Sequence, residues 1–227
     1  MPVMLQKSGA KSKEKAALLN QRVNAVCRLF SSLYPDAASE LNFSNEYELA
    51  VAVMLSAQCT DRKVNEVTPE LFSRFPDFKA LARAKAPQIE KIIRPVNYYR
   101  TKARHIRETA RILSSTRKGA LPRTLDELIE LPGIGRKTAS VILTELRAAH
   151  TMPVDTHVYR LARRLGFSKG RNVRDVEEDL KALFLPHTWR SLHHWLILHG
   201  RRVCRAQRPL CAGCALRGEC PSAAVDS

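Results

Sequence analysis

An all-α fold is predicted by three properties of this sequence. Apolar residues recur at helical spacing through most of the chain, capping-box signatures open helices at Asn45 and Thr124, and no stretch alternates apolar and polar residues as a strand would. Proline and glycine fall at the joints between the periodic segments.

Residues 1–17, with Lys7, Lys11, Lys13 and Lys15, read as a flexible basic lead-in. Leu19, Val23, Val26, Phe30 and Leu33 then share one stripe of a helix that ends ahead of Pro35. Asn45 followed by Glu48 opens an apolar helix running through Leu55, and Thr124 followed by Glu127 opens another, which stops at Leu131 because Pro132 follows. Three further apolar faces are marked by Ala139, Ile142, Leu143 and Leu146, by Val158, Leu161, Ala162 and Leu165, and by Val176, Leu180, Leu183 and Phe184. No internal repeat or low-complexity tract is evident.

Composition narrows the function classes. The 227 residues are 44% hydrophobic, enough for one large core or two modest ones. Lys and Arg number 38 against 22 Asp and Glu, a formal charge of +16. That excess favours polyanions, with nucleic acid first and an anionic membrane second; a generic basic protein is the plain alternative. The longest apolar run, Leu49–Leu55, is far too short to span a bilayer, and Met1–Lys15 has no apolar core of a signal peptide. The expected location is therefore a reducing compartment, where six cysteines argue for metal ligation over disulfides.

Four of those cysteines, Cys204, Cys211, Cys214 and Cys220, follow the pattern C-x6-C-x2-C-x5-C within 17 residues. Four thiolates so close together form a metal cage; an iron–sulfur cluster is the expected occupant, with a four-thiolate zinc site the alternative. Arg205 and Arg208 lie between the first two ligands and are candidates to meet phosphates. Cys27 and Cys59 read as small buried hydrophobes rather than ligands.

Leu131-Pro132-Gly133-Ile134-Gly135-Arg136-Lys137-Thr138 lies between two predicted helices. Gly133 and Gly135 permit a tight turn whose amides point outward, and the positive end of the following helix adds to a pocket for a phosphate oxygen. Such a contact clamps the backbone and reads no base. Arg136 and Thr138 flank Lys137, which helical geometry puts opposite the Ala139/Ile142/Leu143/Leu146 face. Lys137 is then either a phosphate-pairing cation or a nucleophile. The second role needs a neutral amine, and a free lysine, with a pKa near 10.4, is almost fully protonated at pH 7. Asp155, in Pro153-Val154-Asp155-Thr156-His157, suits the N-cap of the next helix, and a carboxylate there stays ionised to stabilise a developing cation or steer a proton. His157 reads as a packing or hydrogen-bonding residue.

Together the hairpin, Val154-Asp155-Thr156-His157, the His193–Gly200 segment and the four-cysteine pattern resemble the endonuclease III family of base-excision DNA glycosylases, from about Leu18 to Cys220. The resemblance implies a two-domain helix-hairpin-helix DNA glycosylase fold. A six-helix barrel domain would span residues 39–149, and an iron–sulfur cluster domain would combine 18–38 with 150–227. A [4Fe–4S] cluster would sit on Cys204, Cys211, Cys214 and Cys220, and double-stranded DNA with damaged bases or abasic sites would be the partner, bound in the cleft between the domains. Lys137 would attack C1′ of a flipped nucleotide with Asp155 assisting. The Schiff base formed would then undergo β-elimination, so that the enzyme is both glycosylase and abasic-site lyase on oxidised or ring-saturated pyrimidines. The family's adenine glycosylases share the cysteine spacing but lack this lysine.

By the same resemblance Gln58, in Leu55-Ser56-Ala57-Gln58, would enter the gap left by the flipped base. A second wedge precedes a Lys-Ala pair in the family. Here that stretch reads Val96-Asn97-Tyr98-Tyr99-Arg100-Thr101-Lys102-Ala103, with Asn97 in place of a glycine and Tyr98 in place of an aliphatic residue. Asn97 is expected to adopt the left-handed angles of the glycine it replaces, and Tyr98 to stack on the orphan base. The resemblance also implies a bacterial cytoplasmic protein associated with the nucleoid, with a monomer the simplest form. Two rival readings are a glycosylase that leaves the strand intact and a non-catalytic helix-hairpin-helix binder.

Overall fold

The computed structural model describes residues 10–223, and among them every regular element is helical. They form α1 (Ala10–Leu33), α2 (Glu46–Ser56), α3 (Asp61–Arg74), α4 (Phe78–Arg83), α5 (Ala86–Ile93), α6 (Tyr99–Thr116), α7 (Leu125–Ile129), α8 (Arg136–Glu145), α9 (Thr156–Arg164), α10 (Val173–Leu183) and α11 (Trp189–Arg202), with 3-10 turns at Pro186–Thr188 and Arg217–Glu219. The chain divides into two compact units, Ala38–Pro153 and the pair of segments Met1–Ala37 with Val154–Ser227. No helix among the described residues is long and apolar enough to cross a membrane.

In the unit Ala38–Pro153, α2 is the central helix. Its residues Tyr47 and Leu49 to Leu55 are all buried, so it is apolar on every side, as a helix wrapped by others must be. Asn45 accepts from the Glu48 amide at 2.9 Å, and the Glu48 carboxylate accepts in return from the Ser44 amide at 2.6 Å. The reciprocal cap thus closes on Ser44, one residue before the position the sequence pattern indicates. Around α2 the core gathers Val64, Leu71, Leu81, Ile89, Ile93, Ile106, Leu113, Leu128, Ile142 and Leu143. The helix opened by Thr124 ends at Ile129, two residues short of the expected Leu131. Leu131 turns inward instead and joins the core.

In the other unit Phe30 of α1 stacks on Trp195 of α11 with ring centroids 5.9 Å apart. Gly200 lets α11 meet α9, because a Cβ there would lie 2.9 Å from His157 Nδ1. The expected flexible lead-in needs correction: α1 begins at Ala10, so residues 10–17 are helical. Alanine, lysine and glutamate in that stretch are strong helix formers, which explains the extension. Residues 1–9 of the lead-in lie outside the described residues.

Truncating Leu49, which is 1% exposed in α2, leaves a cavity in the core. The Leu49→Ala protein is expected to lose about 2–5 kcal/mol of stability, measurable as a lower midpoint in urea titration.

Candidate functional site

The hairpin between α7 and α8 is fastened from one side by α6. Thr109 donates its hydroxyl to the Pro132 carbonyl at 2.9 Å, and Ile134 and Leu131 are buried beneath the turn. Gly133 has φ +79°, and a Cβ there would lie 2.7 Å from both Cβ and Nδ1 of His105. The two glycines of the turn differ in conformation. Gly135 is extended, at φ −85° and ψ 172°, and a Cβ there would meet nothing within 4 Å. Its absent side chain therefore opens space outward.

Gly135 is the N-cap of α8 and carries no side chain to cap it, and no acidic residue occupies the first turn. By contrast α2, α3, α4, α7, α9 and α10 all begin with a side chain accepting from a backbone amide. The first amides of a helix have no partner within it, so the start of α8 offers donors and positive potential to an anion. Arg136 and Lys137 are exposed there, and Thr138 is half-buried.

The loops that carry Gln58 and Tyr98 are tied by one hydrogen bond from Asn97. Gln58 and Tyr98 are both exposed and both left-handed, with φ 53° and 58°. The Asn97 side-chain amide donates to the Gln58 carbonyl at 2.7 Å. Asn97 is not among the left-handed residues; Tyr98 adopts that conformation instead. Tyr98 is 68% exposed and serves as N-cap of α6, accepting from the Lys102 amide at 3.0 Å. Lys102, not singled out from the sequence, anchors the other loop. It is 8% exposed and its ammonium donates to the carbonyls of Leu55 and Ala57 at 2.7 and 2.6 Å. Those carbonyls at the end of α2 lack helical partners, so the cation completes the helix terminus. Burial pushes the Lys102 ammonium below its ordinary pKa, with Cys59 opposing.

In the other unit Asp155 is the N-cap of α9, its Oδ1 accepting from the Val158 amide at 2.8 Å. His157 contacts Arg160 at 3.1 Å through Nδ1, and burial holds its pKa below the usual histidine range. Lys137 belongs to the unit Ala38–Pro153 and Asp155 to the unit Val154–Ser227.

Cys204, Cys211, Cys214 and Cys220 line one small cavity of about 30 Å³, together with apolar Leu165, Val203, Leu210 and Leu216. Burial, and then the neighbouring thiols, push Cys214 and Cys220 above the usual thiol range. Four thiolates facing one another need a positive centre, so the donor set fits a thiophilic metal group. Among the described residues, however, no group of three or more His, Cys, Asp or Glu is placed to hold a single metal ion. Cys27 and Cys59 are half-buried, outside this cavity.

The cysteine loop is held by two arginines that the sequence reading missed. Arg160 donates to the carbonyls of Gly200 at 3.0 Å and Cys204 at 3.1 Å, and Arg164 donates to those of Arg205 at 2.6 Å and Ala206 at 3.0 Å. Arg164 also lies 3.4 Å from Cys204 Sγ. Their spacing of four residues puts both on one face of α9, which was visible in the sequence although their target was not. Arg205 and Arg208 are exposed, Arg208 with φ 48°.

The model of the HhH-GPD superfamily base excision DNA repair proteins matches residues 51–186. Endonuclease III of Synechocystis sp. is 40% identical over 210 residues, 92% of this chain and 96% of that protein. Endonuclease III of Escherichia coli is 39% identical over 186 residues, 82% of this chain and 88% of that protein. A solved structure of a trapped endonuclease III–DNA covalent intermediate, an estranged-adenine complex, superposes with a TM-score of 0.84 at 38% identity, covering 90% of this chain and 96% of that one. A thermostable thymine-DNA glycosylase, 18% identical, shares the fold at a TM-score of 0.79.

The two hairpin glycines make opposite predictions. Gly133→Ala combines a left-handed backbone with a clash and is expected to destabilise the protein by roughly 1–3 kcal/mol. Gly135→Ala, in an allowed conformation facing open space, is expected to leave the midpoint of denaturation nearly unchanged.

Proposed function

This chain belongs to the HhH-GPD superfamily of base excision DNA repair proteins, and on that premise we propose that it is an endonuclease III-type enzyme, a DNA glycosylase with abasic-site lyase activity on oxidised or ring-saturated pyrimidines in duplex DNA. The observation that carries the reading is the exposed Lys137 on the first turn of an uncapped helix, beyond a glycine hairpin. The relative captured covalently with DNA, holding an estranged adenine, supports the same chemistry.

The steps follow from what each group can do. Amides at Gly135, Arg136 and Lys137 clamp a phosphate, with Thr138 and Arg136 alongside, while Arg205 and Arg208 meet the backbone from the cysteine loop. Gln58 and Tyr98 fill the place of the extruded nucleotide, and the Tyr98 ring stacks on the base left behind. Bound DNA covers Lys137 and excludes water from it. The Lys137 Nζ lone pair attacks C1′; the C1′–N bond breaks, and the base departs with that electron pair and takes up a proton. The Asp155 carboxylate, with one oxygen engaged by its own helix, stabilises the positive charge that develops on the sugar. The C1′–O4′ bond then breaks with its electrons passing to O4′, which takes up the proton that the Lys137 ammonium gave up before attack. A protonated Schiff base is left on Nζ. Loss of a C2′ proton then expels the 3′ phosphate with its bonding electrons, which cuts the strand.

An iron–sulfur cluster is expected for this family, and Cys204, Cys211, Cys214 and Cys220 would hold it. The four thiols line one cavity, and thiolates are the donors such a cluster would take. Its contribution when bound is to fix the loop that displays Arg205 and Arg208. We place the protein, as a monomer, with the chromosome in a bacterial cytoplasm.

Borohydride reduction on a duplex containing an abasic site is expected to give a covalent protein–DNA adduct that Lys137→Gln abolishes while DNA binding persists. Base release without an adduct, or binding without products, would overturn the lyase assignment. Because several phosphates are neutralised, affinity for duplex DNA should also fall by about tenfold or more between 50 and 200 mM salt; fluorescence anisotropy titrations check this.

A further inference from the structure

Tyr34, His199 and Cys214 form a continuous polar chain that none of the steps above uses. The Tyr34 hydroxyl lies 3.0 Å from His199 Nδ1, and His199 Nε2 lies 3.4 Å from Cys214 Sγ. The imidazole is fixed on every side. It is 3% exposed, stands edge-on to Phe30 with centroids 5.4 Å apart, and is edge-on to Tyr34 at 6.1 Å. The Tyr34 carbonyl accepts from Trp195 Nε1 at 3.1 Å, and the His199 carbonyl accepts from the amides of Val203 and Cys204 at 2.9 and 2.8 Å.

The two ring nitrogens of His199 face different partners, the Tyr34 hydroxyl on one side and the Cys214 sulfur on the other. A metal-bound Cys214 is a thiolate and has no proton to give. The contact to sulfur therefore requires the hydrogen on Nε2. Nδ1 then meets the Tyr34 hydroxyl, which can rotate to complete the second hydrogen bond. Ligation of Cys214 thus sets a hydrogen on Nε2, and Tyr34 holds the ring from its far side.

We propose that Tyr34 and His199 act as a positioning pair that directs an Nε2–H···Sγ hydrogen bond onto the Cys214 thiolate, holding this ligand in place and drawing charge from the metal centre. The inference rests on the reading of the four cysteines as an iron–sulfur site. A hydrogen bond to a ligand sulfur favours the more reduced state of a cluster and strengthens its retention. The other sulfurs have different surroundings: Arg164 donates to Cys204, and the Arg164 carbonyl lies 3.5 Å from Cys220 Sγ. Cys214 is thus the ligand that meets an imidazole nitrogen.

The experiment compares wild type with His199→Leu, His199→Gln and Tyr34→Phe. Iron and sulfide content, the Fe–S(Cys) stretching bands in resonance Raman spectra, the reduction potential by film voltammetry and the rate of iron loss to a chelator are measured on each. Removing the donor in His199→Leu is expected to lower the potential, shift the bands and speed iron loss several-fold. His199→Gln, which keeps an N–H near the same place, should recover part of each change, and Tyr34→Phe should fall between wild type and His199→Leu. Iron-loaded His199→Leu with wild-type bands and potential overturns the inference while leaving the cluster reading intact. Should His199→Leu fail to fold or load, Tyr34→Phe, which preserves the packing, decides: unchanged bands and potential overturn the pairing. Wild-type protein isolated without iron overturns the cluster reading and this inference with it.

Discussion

One stripe of α6 organises the unit that carries the lysine. Tyr98, Lys102, His105 and Thr109 follow at intervals of four, three and four residues, so they share a single helical face. Each does a different job there. Tyr98 begins the helix in a left-handed conformation; Lys102 closes the end of α2; His105 packs over Gly133; and Thr109 holds the Pro132 carbonyl. Because one rigid helix anchors both the wedge loops and the hairpin, their separation is set by helical rise and not by loop flexibility. Gln58 and Tyr98 depend on this support more than most exposed residues, since both occupy backbone conformations that side chains of their kind rarely adopt. The bond from Asn97 to the Gln58 carbonyl ties the two strained positions to each other.

The cysteine unit solves a different problem. Its loop from Cys204 to Cys220 contributes few buried apolar side chains, Leu216 being the deepest. Shape comes instead from guanidinium groups of α9 reaching loop carbonyls, with Arg160 and Arg164 each serving more than one acceptor. Charge-assisted bonds of this kind are stronger than neutral ones and satisfy backbone groups that a core could not. They also consume the basic side chains of α9 in structure, leaving Arg205 and Arg208 exposed for phosphate. Close approach of α11 to α9 at Gly200 is what brings the donors within reach.

Where the sequence reading departed from the structure, some causes were local and others were partners distant in the chain. Gly135 looked like a second flexible turn residue, yet the start of α8 requires only an extended cap there. Asn97 looked like the glycine substitute, but its side chain is recruited by Gln58, 39 residues away, and the left-handed turn passes to Tyr98. The capping box at Asn45 was recognisable, though its returning bond reaches Ser44 because the chain before the helix bends that way. His199 gave no local sign of its role, since its hydroxyl partner lies 165 residues earlier.

Helix content, cap positions, the glycine hairpin before Arg136-Lys137, the spacing of four cysteines and the excess positive charge were all determined by the sequence alone. Each is written in a few consecutive residues or in bulk composition, and each acts through short-range sterics, local hydrogen bonding or net field. Which lysine would be buried as a clamp and which exposed, which tyrosine would stand at a loop tip and which would face an imidazole, and which arginines would bind carbonyls were decided only by tertiary structure. Those outcomes depend on what other segments place beside a side chain, and burial and hydrogen-bond partnership are properties of the folded neighbourhood rather than of the residue.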